Sequence, residues 1–457
     1  MKIRNSILVF SVLTLCIGSS VYAQDPLDDV LGDFDETKTP TDPITPVQYE
    51  EPSNWTISGS LSFSAAYDYA QNKPSAGESD KRGLSRARPK ATLKVKGDLS
   101  DTFDRPMRFL GEINAAHDLA YNIKGRDDYN TTVRNSFERD INLGELYLSG
   151  ELTDGLELTV GRQTIVWGTS DNLRVVDLIN PLDRRELGMV DIEDVRIPLD
   201  MARVDYITGP WTATALAIPH IRFNKLAPSY SAYDSQNGAA PSQVVPSDGI
   251  NNAEFAASLR GNFSGWDLSL HAANVYDDAG AKKTVNGKTK IHHPRITMVG
   301  ASTAVAMGNF LVKGEAAHLS GLETFGLQNQ DFDRSDILAG VDYTGLTDAT
   351  VSFEIANRHL HNWQADLRGE GLKKNSQEYA VRFAGDYLHD RLHVTALTTR
   401  ISPLTKGGGF SRASAEYDLA DALSVTGGVT VYHSGSRQPF KGLGNNDRLF
   451  LEIKKSF

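Results

Sequence analysis

A transmembrane antiparallel β-barrel of about eighteen strands is the fold this 457-residue chain predicts, and three observations predict it. Segments of period-two apolar alternation recur from residue 55 to the end, the pattern of a wall with one face in an apolar medium and one in a polar medium. The connections sort by parity, tight turns after even-numbered segments and long polar loops after odd-numbered ones; a sandwich or propeller has no reason to do that. Finally, Asn446 to Phe457 alternates and ends on a bare aromatic: Leu449, Leu451, Ile453 and Phe457 share one face, and Arg448, Phe450, Glu452, Lys454 and Ser456 the other. A strand closed by a terminal Phe is what barrel-assembly machinery recognises, so that machinery is an expected partner through Phe457.

Residues 1–23 read as a secretory signal peptide. Lys2 and Arg4 form its basic start, Ile7 to Ile17 its apolar core and Val21-Tyr22-Ala23 its cleavage site. The core is too short to remain as a spanning helix. Cys16 is the only cysteine, so the mature chain is expected to carry neither disulfides nor thiolate metal sites. Removing Lys2 and Arg4 takes the formal charge from −11 to −13, and nine acids against Lys38 in 25–53 account for −8, leaving −5 for 54–457. That balance argues against nucleic-acid binding. A mean hydropathy of −0.34 is compatible with a barrel, because alternating strands average low even when embedded.

Residues 24–53 form an acidic N-terminal segment. Leu27, Val30, Leu31 and Phe34 give 25–36 one apolar helical stripe, with Asp25 as cap and Pro26 at the first position. Four prolines make 37–53 an extended linker. The segment reads as a disordered tail, a tethered plug, or a docking peptide for a periplasmic partner.

The barrel, 54–457, has candidate strands at 55–70, 86–98, 106–121, 141–152, 155–166, 200–208, 211–221, 252–262, 266–276, 292–306, 309–321, 336–346, 349–361, 378–388, 391–402, 409–418, 422–434 and 446–457. Thr153-Asp154, Gly209-Pro210, Thr347-Asp348 and His389-Asp390 are typical of the tight turns. An even number of strands puts both termini in the periplasm and the long loops outside. Aromatics near strand ends, such as Trp55, Trp211, Trp266, Phe310, Tyr343, Tyr121 and Tyr432, suit an interfacial girdle, and outer-membrane lipids and lipopolysaccharide are the expected surroundings.

Giving each apolar face to lipid leaves the charges inside. The expected pore-lining set is Lys90, Lys94, Lys96, Arg108, Arg203, Arg260, Arg358, Arg382 and Arg412 among cations, and Glu112, Glu145, Glu315, Glu354 and Glu416 among acids. Further charges fall on the same face, including Asp68, Asp118, Asp205, Glu254, Lys313, Asp342, Asp386, Glu452 and Lys454. Two interpretations stay open: ion pairs that brace the wall, or separated ladders that create a transverse field. Arg86, Arg88, Lys90, Lys94 and Lys96 are the most lopsided group and favour anions.

The connection 167–199 differs from the others. Val175, Val176, Leu178, Ile179, Leu182, Met189 and Ile197 are among the apolar residues that make it fit to pack against something. Folding into the mouth as a constriction presents Arg174, Asp177, Asp183, Arg184 and Arg185 to the passage; a lid on neighbouring loops is the alternative. By contrast, 222–251 is rich in Ser, Ala and Pro and reads as a mobile surface loop. Asp191, Glu193 and Asp194 lack the spacing of a calcium loop, and no metal is expected.

Gly161-Arg162-Gln163, Trp167-Gly168 and Ile179-Asn180-Pro181-Leu182-Asp183 resemble the signature of a proteobacterial family of outer-membrane proteins of unknown function. The resemblance implies a barrel. It also implies a link to hydrophobic envelope molecules, since some members are encoded beside exporter-like and lipoprotein genes; the charged lumen departs from that.

The chain has no Gly-x-Ser-x-Gly elbow, phosphate loop or His-Glu-x-x-His, and no residues nominate themselves as catalytic. The expectation is a porin-like channel for passive diffusion of small polar solutes, anionic ones among them, without enzyme activity or cofactor. The alternative is a barrel that moves a lipid or hydrophobic molecule with periplasmic partners.

Overall fold

The computed structural model describes residues 54–457 apart from 76–77, 102–104, 191–193, 235–240, 286, 325–330, 365–366, 368–371 and 437. The expected signal peptide and acidic segment lie outside the described residues.

Eighteen strands form one closed antiparallel sheet. In chain order they are β1 (Trp55–Asp68), β2 (Gly83–Asp98), β3 (Met107–His117), β4 (Arg139–Thr153), β5 (Leu156–Gln163), β6 (Leu199–Thr208), β7 (Trp211–Ile218), β8 (Glu254–Phe263), β9 (Trp266–Tyr276), β10 (Arg295–Met307), β11 (Phe310–Glu323), β12 (Asp331–Leu346), β13 (Ala349–Leu360), β14 (Asn375–Tyr387), β15 (Leu392–Ile401), β16 (Gly409–Ala420), β17 (Leu423–His433) and β18 (Arg448–Ser456). Each pairs with its chain neighbours, and β1 pairs with β18 from Ser60↔Ser456 to Asp68↔Arg448. Closure removes both edges, which an open sheet of this size would leave as unpaired backbone.

The pleat sorts the side chains. Phe63, Leu451 and Ile453 project outward and are exposed, whereas Ser64, Asp68 and Arg448 on the other face are buried. The terminal residue completes the outer face. Phe457 exchanges backbone hydrogen bonds with Gly59, and its ring lies where a Cβ on Gly59 would stand, 2.8 Å from the nearest ring atom. Lys455 shares that outer face, and its Nζ turns away from the apolar side chains to reach the Asp421 carbonyl in the turn at 2.9 Å. Tight turns close one end of the barrel, with Gly265 and Gly308 at φ +82° and +60°, a conformation that costs glycine no Cβ clash.

Several elements differ from the sequence reading at the long-loop end. The third strand stops at His117, and 118–138 folds into Ala120–Lys124 and Thr131–Phe137, two short helices; Asn130 caps the second by accepting from the Val133 N–H at 2.8 Å. The tenth strand starts at Arg295, because Lys288–His292 pairs with Ala281–Val285 in a ribbon of its own. Tyr432 and Tyr121 are not girdle residues. Tyr432 points inward and is buried, and Tyr121 packs edge-on against Tyr129 within the loop. Nor is all of 222–251 a free surface loop. Ser231, Tyr233 and Asp234 are buried, because Tyr233 stacks on the Arg448 guanidinium at 4.4 Å and its hydroxyl accepts from Arg448 at 2.6 Å.

Among the described residues no helix is long and apolar enough to cross a membrane, which says nothing against strands.

Candidate functional site

The inner face follows from register. Ser62↔Lys90 and Ser58↔Lys94 put those lysines beside the inward serines of β1, and Thr56↔Lys96 continues the row. Lys94↔Glu112 and Asp98↔Arg108 carry it to β3, where Lys94 and Glu112 approach to 3.8 Å. On β4, Glu145 turns inward and accepts from the Thr164 N–H at 3.0 Å. Arg203 and Asp205 pair at 2.6 Å on β6, and Arg260 faces Thr212 across β8 and β7. Further round, Glu354↔Gly340, Asp336↔Arg358, Ser352↔Arg382, Arg412↔Leu397 and His393↔Glu416 keep the same parity. The inner wall thus carries bracing pairs, such as Lys94–Glu112 and Arg203–Asp205, beside cations such as Arg260 and Arg382 that have no carboxylate in ion-pair distance among the described residues.

In the connection between β5 and β6, the described residues 164–190 and 194–198 run inside this wall. Ile165, Trp167, Leu173, Val175, Val176 and Ile179 pack with inward residues of β6 to β14, among them Leu199, Ile218, Met298, Leu338 and Ala380. At about 1.5–3 kcal/mol per buried aliphatic side chain, that cluster holds the segment to one side of the bore.

Two carboxylates fix its position. Glu315 on β11 accepts from the N–H groups of Thr169 (2.6 Å), Ser170 (2.9 Å) and Val176 (3.3 Å). Glu354 on β13 accepts from the N–H groups of Asp171 (2.9 Å), Asn172 (3.1 Å) and Leu173 (3.0 Å) and from the Ser170 hydroxyl (2.8 Å). A buried carboxylate costs several kcal/mol unless its oxygens are satisfied, and here each is. Beside them Lys313 bonds Asp171 of the segment and pairs with Asp342 of the wall at 2.7 Å. Gly168, at φ +87°, makes the turn possible; a Cβ there would meet Glu315 Oε1 at 2.3 Å. Glu315 and Glu354 thus sit on the inner face as expected for their strand parity, but at 4% and 0% exposure they are covered by the segment rather than open to the passage.

Asp177 and Arg174 also depart from expectation. Asp177 is buried within the segment, where Arg174 and Arg196 both reach its Oδ2, at 3.0 and 2.9 Å. Asn180 is fully buried; its Oδ1 accepts from the Ile165 N–H and its Nδ2 donates to the Ile197 carbonyl, each at 2.8 Å, so it ties the two arms together. Arg174 caps the Asn180 carbonyl at 3.1 Å. A charged side chain in a folded-in segment is as free to knit the segment as to face the bore, and sequence alone does not separate the two.

Beyond Leu182 the chain crosses to the opposite wall. Arg185 bridges Asp183 (2.5 Å) and Asp140 at the start of β4 (2.7 Å). Glu186 reaches Arg86 (2.6 Å) and Arg88 (3.0 Å) on β2. Burial raises the Glu186 carboxyl, but the two guanidiniums outweigh it and hold it well below the ordinary range. The Leu187 carbonyl accepts from the Tyr432 hydroxyl at 2.5 Å on β17. One segment is therefore anchored on three sectors of the wall. Arg184, at the crossing, stays exposed.

What is left open between the segment and the wall is a cavity of about 590 Å³. Arg184, Arg382 and Arg412 line it, together with Glu378 and Asp278. Arg358 is neutralised by Asp336 (2.9 Å) and Glu378 (3.2 Å), and donates to the Arg174 carbonyl at 3.0 Å. Asp336, Glu378 and Asp278 were missed in the sequence: the first two open their candidate strands, where parity has no preceding residue to rest on, and the third is in a loop. Leu178, Leu319, Leu397 and Phe410 give the same cavity an apolar side. Among the described residues no group of three or more His, Cys, Asp or Glu side chains can hold a metal ion, and Asp191 and Glu193 lie outside them.

Similar barrels are known. OpdK of Pseudomonas aeruginosa, solved with vanillate, superposes with a TM-score of 0.51 at 10% identity over 88% of this chain and 98% of that one. OccAB2 of Acinetobacter baumannii gives 0.52 at 10% identity over the same shares. OccK2 (OpdF) of Pseudomonas aeruginosa, in complex with glucuronate, gives 0.53 at 11% identity, again over 88% and 98%. At such identities the likeness is one of fold. No curated protein matches the chain. Residues 7–457 match the family described as protein of unknown function (DUF1302), and the chain belongs to that family.

Proposed function

We propose that this member of the DUF1302 family is a porin-like outer-membrane channel for small organic anions, with 164–198 as its constriction and its long loops outside the cell. The observation that carries the reading is the cavity left by the crossing segment, into which Arg184 and Arg382 project without a carboxylate in ion-pair distance among the described residues. A fixed positive potential in a narrow, partly apolar passage raises the local concentration of anions and repels cations. Two of the similar barrels were solved with vanillate and with glucuronate, both organic anions, which supports the same class here. Lys90, Lys94, Lys96, Arg108, Arg203, Arg260 and Glu416 would line the wider bore beside the constriction.

Reversal potentials in a salt gradient across planar bilayers test this. Wild-type protein should conduct with anion preference, and Arg184→Glu should reduce or invert it. A barrel that stays closed, or one that prefers cations, overturns the proposal.

A second reading, movement of a lipid or hydrophobic molecule, draws on the apolar side formed by Leu178, Leu319, Leu397 and Phe410. It calls for periplasmic partners, for which 25–36 is the candidate docking peptide. Loss of copurifying partners on deleting 25–36 would favour it; unchanged recovery would remove it.

A further inference from the structure

The outer face of a barrel in lipid should be apolar, and on β11 to β13 it is, up to a level where it abruptly changes. Val312, Ile337 and Phe353 are exposed on that face. Above them stand three histidines, His318, His359 and His361. His318 and Ser335 are outward by parity, since their neighbours Ala317 and Asp336 are buried on the inner face, and His359 alternates likewise with Arg358 and Leu360. The imidazoles form a contiguous patch, with ring centroids 5.6 Å apart for His318 and His361 and 5.0 Å for His359 and His361.

Each ring is oriented through one nitrogen. His318 Nδ1 and His361 Nε2 contact the Ser335 hydroxyl at 3.0 and 2.8 Å, and His359 Nδ1 contacts Asn375 Oδ1 at 2.8 Å. The second nitrogen of each ring has no hydrogen-bonding partner among the described residues. The patch therefore offers three neighbouring ring nitrogens to something outside the chain. It is not a metal cage, as no three-ligand group that could hold a metal occurs among the described residues.

Depth identifies the kind of partner. His318 follows Phe310, at the tight-turn end, by eight residues. At about 3.3 Å per residue and a tilt of about 40°, it stands roughly 20 Å further along the axis, near the far edge of an apolar band about 25 Å tall. That is the border between the acyl chains and the headgroups. Cations also occupy the outer face at the long-loop end of other strands. Arg139 begins β4 opposite His117, and Arg162 ends β5 paired with Asp200 at 2.8 Å.

We propose that the His318–His359–His361 patch docks a phosphate of a lipopolysaccharide headgroup, and that the patch and the rim cations fix which end of the barrel meets the phosphorylated leaflet. A phosphate presents several acceptor oxygens, and as imidazoliums, in which both ring nitrogens donate, the three rings can serve it with the nitrogens turned away from Ser335 and Asn375. This rests on the barrel lying in an outer membrane, and not on its conducting any solute.

The test measures lipopolysaccharide retained by the full-length protein after detergent exchange, using intact lipopolysaccharide and the same material with its lipid A phosphates removed. Wild-type protein should retain the intact form about tenfold better. The triple variant His318→Gln/His359→Gln/His361→Gln should lose most of that difference, while Lys455→Gln at the other end should keep it. Equal retention of the two lipids by wild-type protein overturns the proposal without need of any variant. So does a triple variant that folds, judged by its heat-dependent gel mobility, and still prefers the phosphorylated lipid as strongly as wild type.

Discussion

The wall and the segment that crosses it are built on opposite principles. In the wall, backbone ladders carry the structure, each side chain needs only to suit its own medium, and a two-residue period sorts all of them. In 164–198 no described ladder runs through the backbone, apart from short pairings such as Asp183–Arg184 with Lys225–Leu226. Its amides are satisfied instead by Glu315 and Glu354, and its carbonyls by Arg174 and Arg358. Damage to the wall should therefore cost the fold, whereas damage to the anchors should cost the passage while leaving the barrel closed.

The largest expected effect comes from Glu354→Ala. It leaves three amides and the Ser170 hydroxyl without their acceptor, and removing one side of such a buried, charge-assisted set costs about 3–5 kcal/mol. The segment should leave the wall, and single-channel conductance should rise several-fold with gel mobility of the folded barrel unchanged. A variant that loses the folded band would show that the segment supports the wall, and would break the comparison. The counterpart in the wall is Gly59→Val. Its Cβ would meet the Thr92 carbonyl at 2.3 Å and the Phe457 ring at 2.8 Å, so the yield of folded barrel should fall, while the conductance of the molecules that do fold should match wild type.

A smaller effect should follow pH. Burial first, and the neighbouring Glu254 second, push the Asp278 carboxyl well above the ordinary range, against Arg174 and Arg184. As pH falls, Asp278 loses its negative charge earlier than an ordinary aspartate does, and the cavity becomes more positive. Anion preference should increase on acidification above the range where ordinary aspartates titrate, and Asp278→Asn should remove that part of the pH dependence. The Glu186 tether does not confound the measurement, because Arg86 and Arg88 keep it ionised throughout. The smallest effect is reserved for Lys455→Gln. That side chain is exposed and makes one bond to a turn carbonyl, so stability should change by about 0.5 kcal/mol or less in a denaturant titration.

Legibility in the sequence followed the same division. Each of the eighteen candidate strands has a counterpart in the sheet, and the parity of turns and loops is that of the structure. Strand ends were less legible, because 120–124 and 288–292 adopt local hydrogen-bonding partners that alternation does not encode. The apolar content of 167–199 announced a packed segment. It did not announce that Asp177 and Arg174 would be spent inside it, or that Tyr233 from 222–251 would be drawn in by Arg448. Trp167, Gly168 and Asn180, noticed as part of a recurring pattern, turn out to have structural work: a buried ring, a left-handed turn and a knot between two arms.

By itself, the sequence determined a closed wall, its strand number, its inward and outward faces and one long segment fit to fold inside. It could do so because a period of two is a property of each strand alone and needs no knowledge of its neighbours. Only the tertiary structure decided which inward charges stay open to the cavity, such as Arg184 and Arg382, and which are consumed, such as Glu315 and Glu354. That choice depends on where a folded-in backbone presents its unpaired amides, and on contacts between residues 139 to 184 positions apart, which no local pattern records.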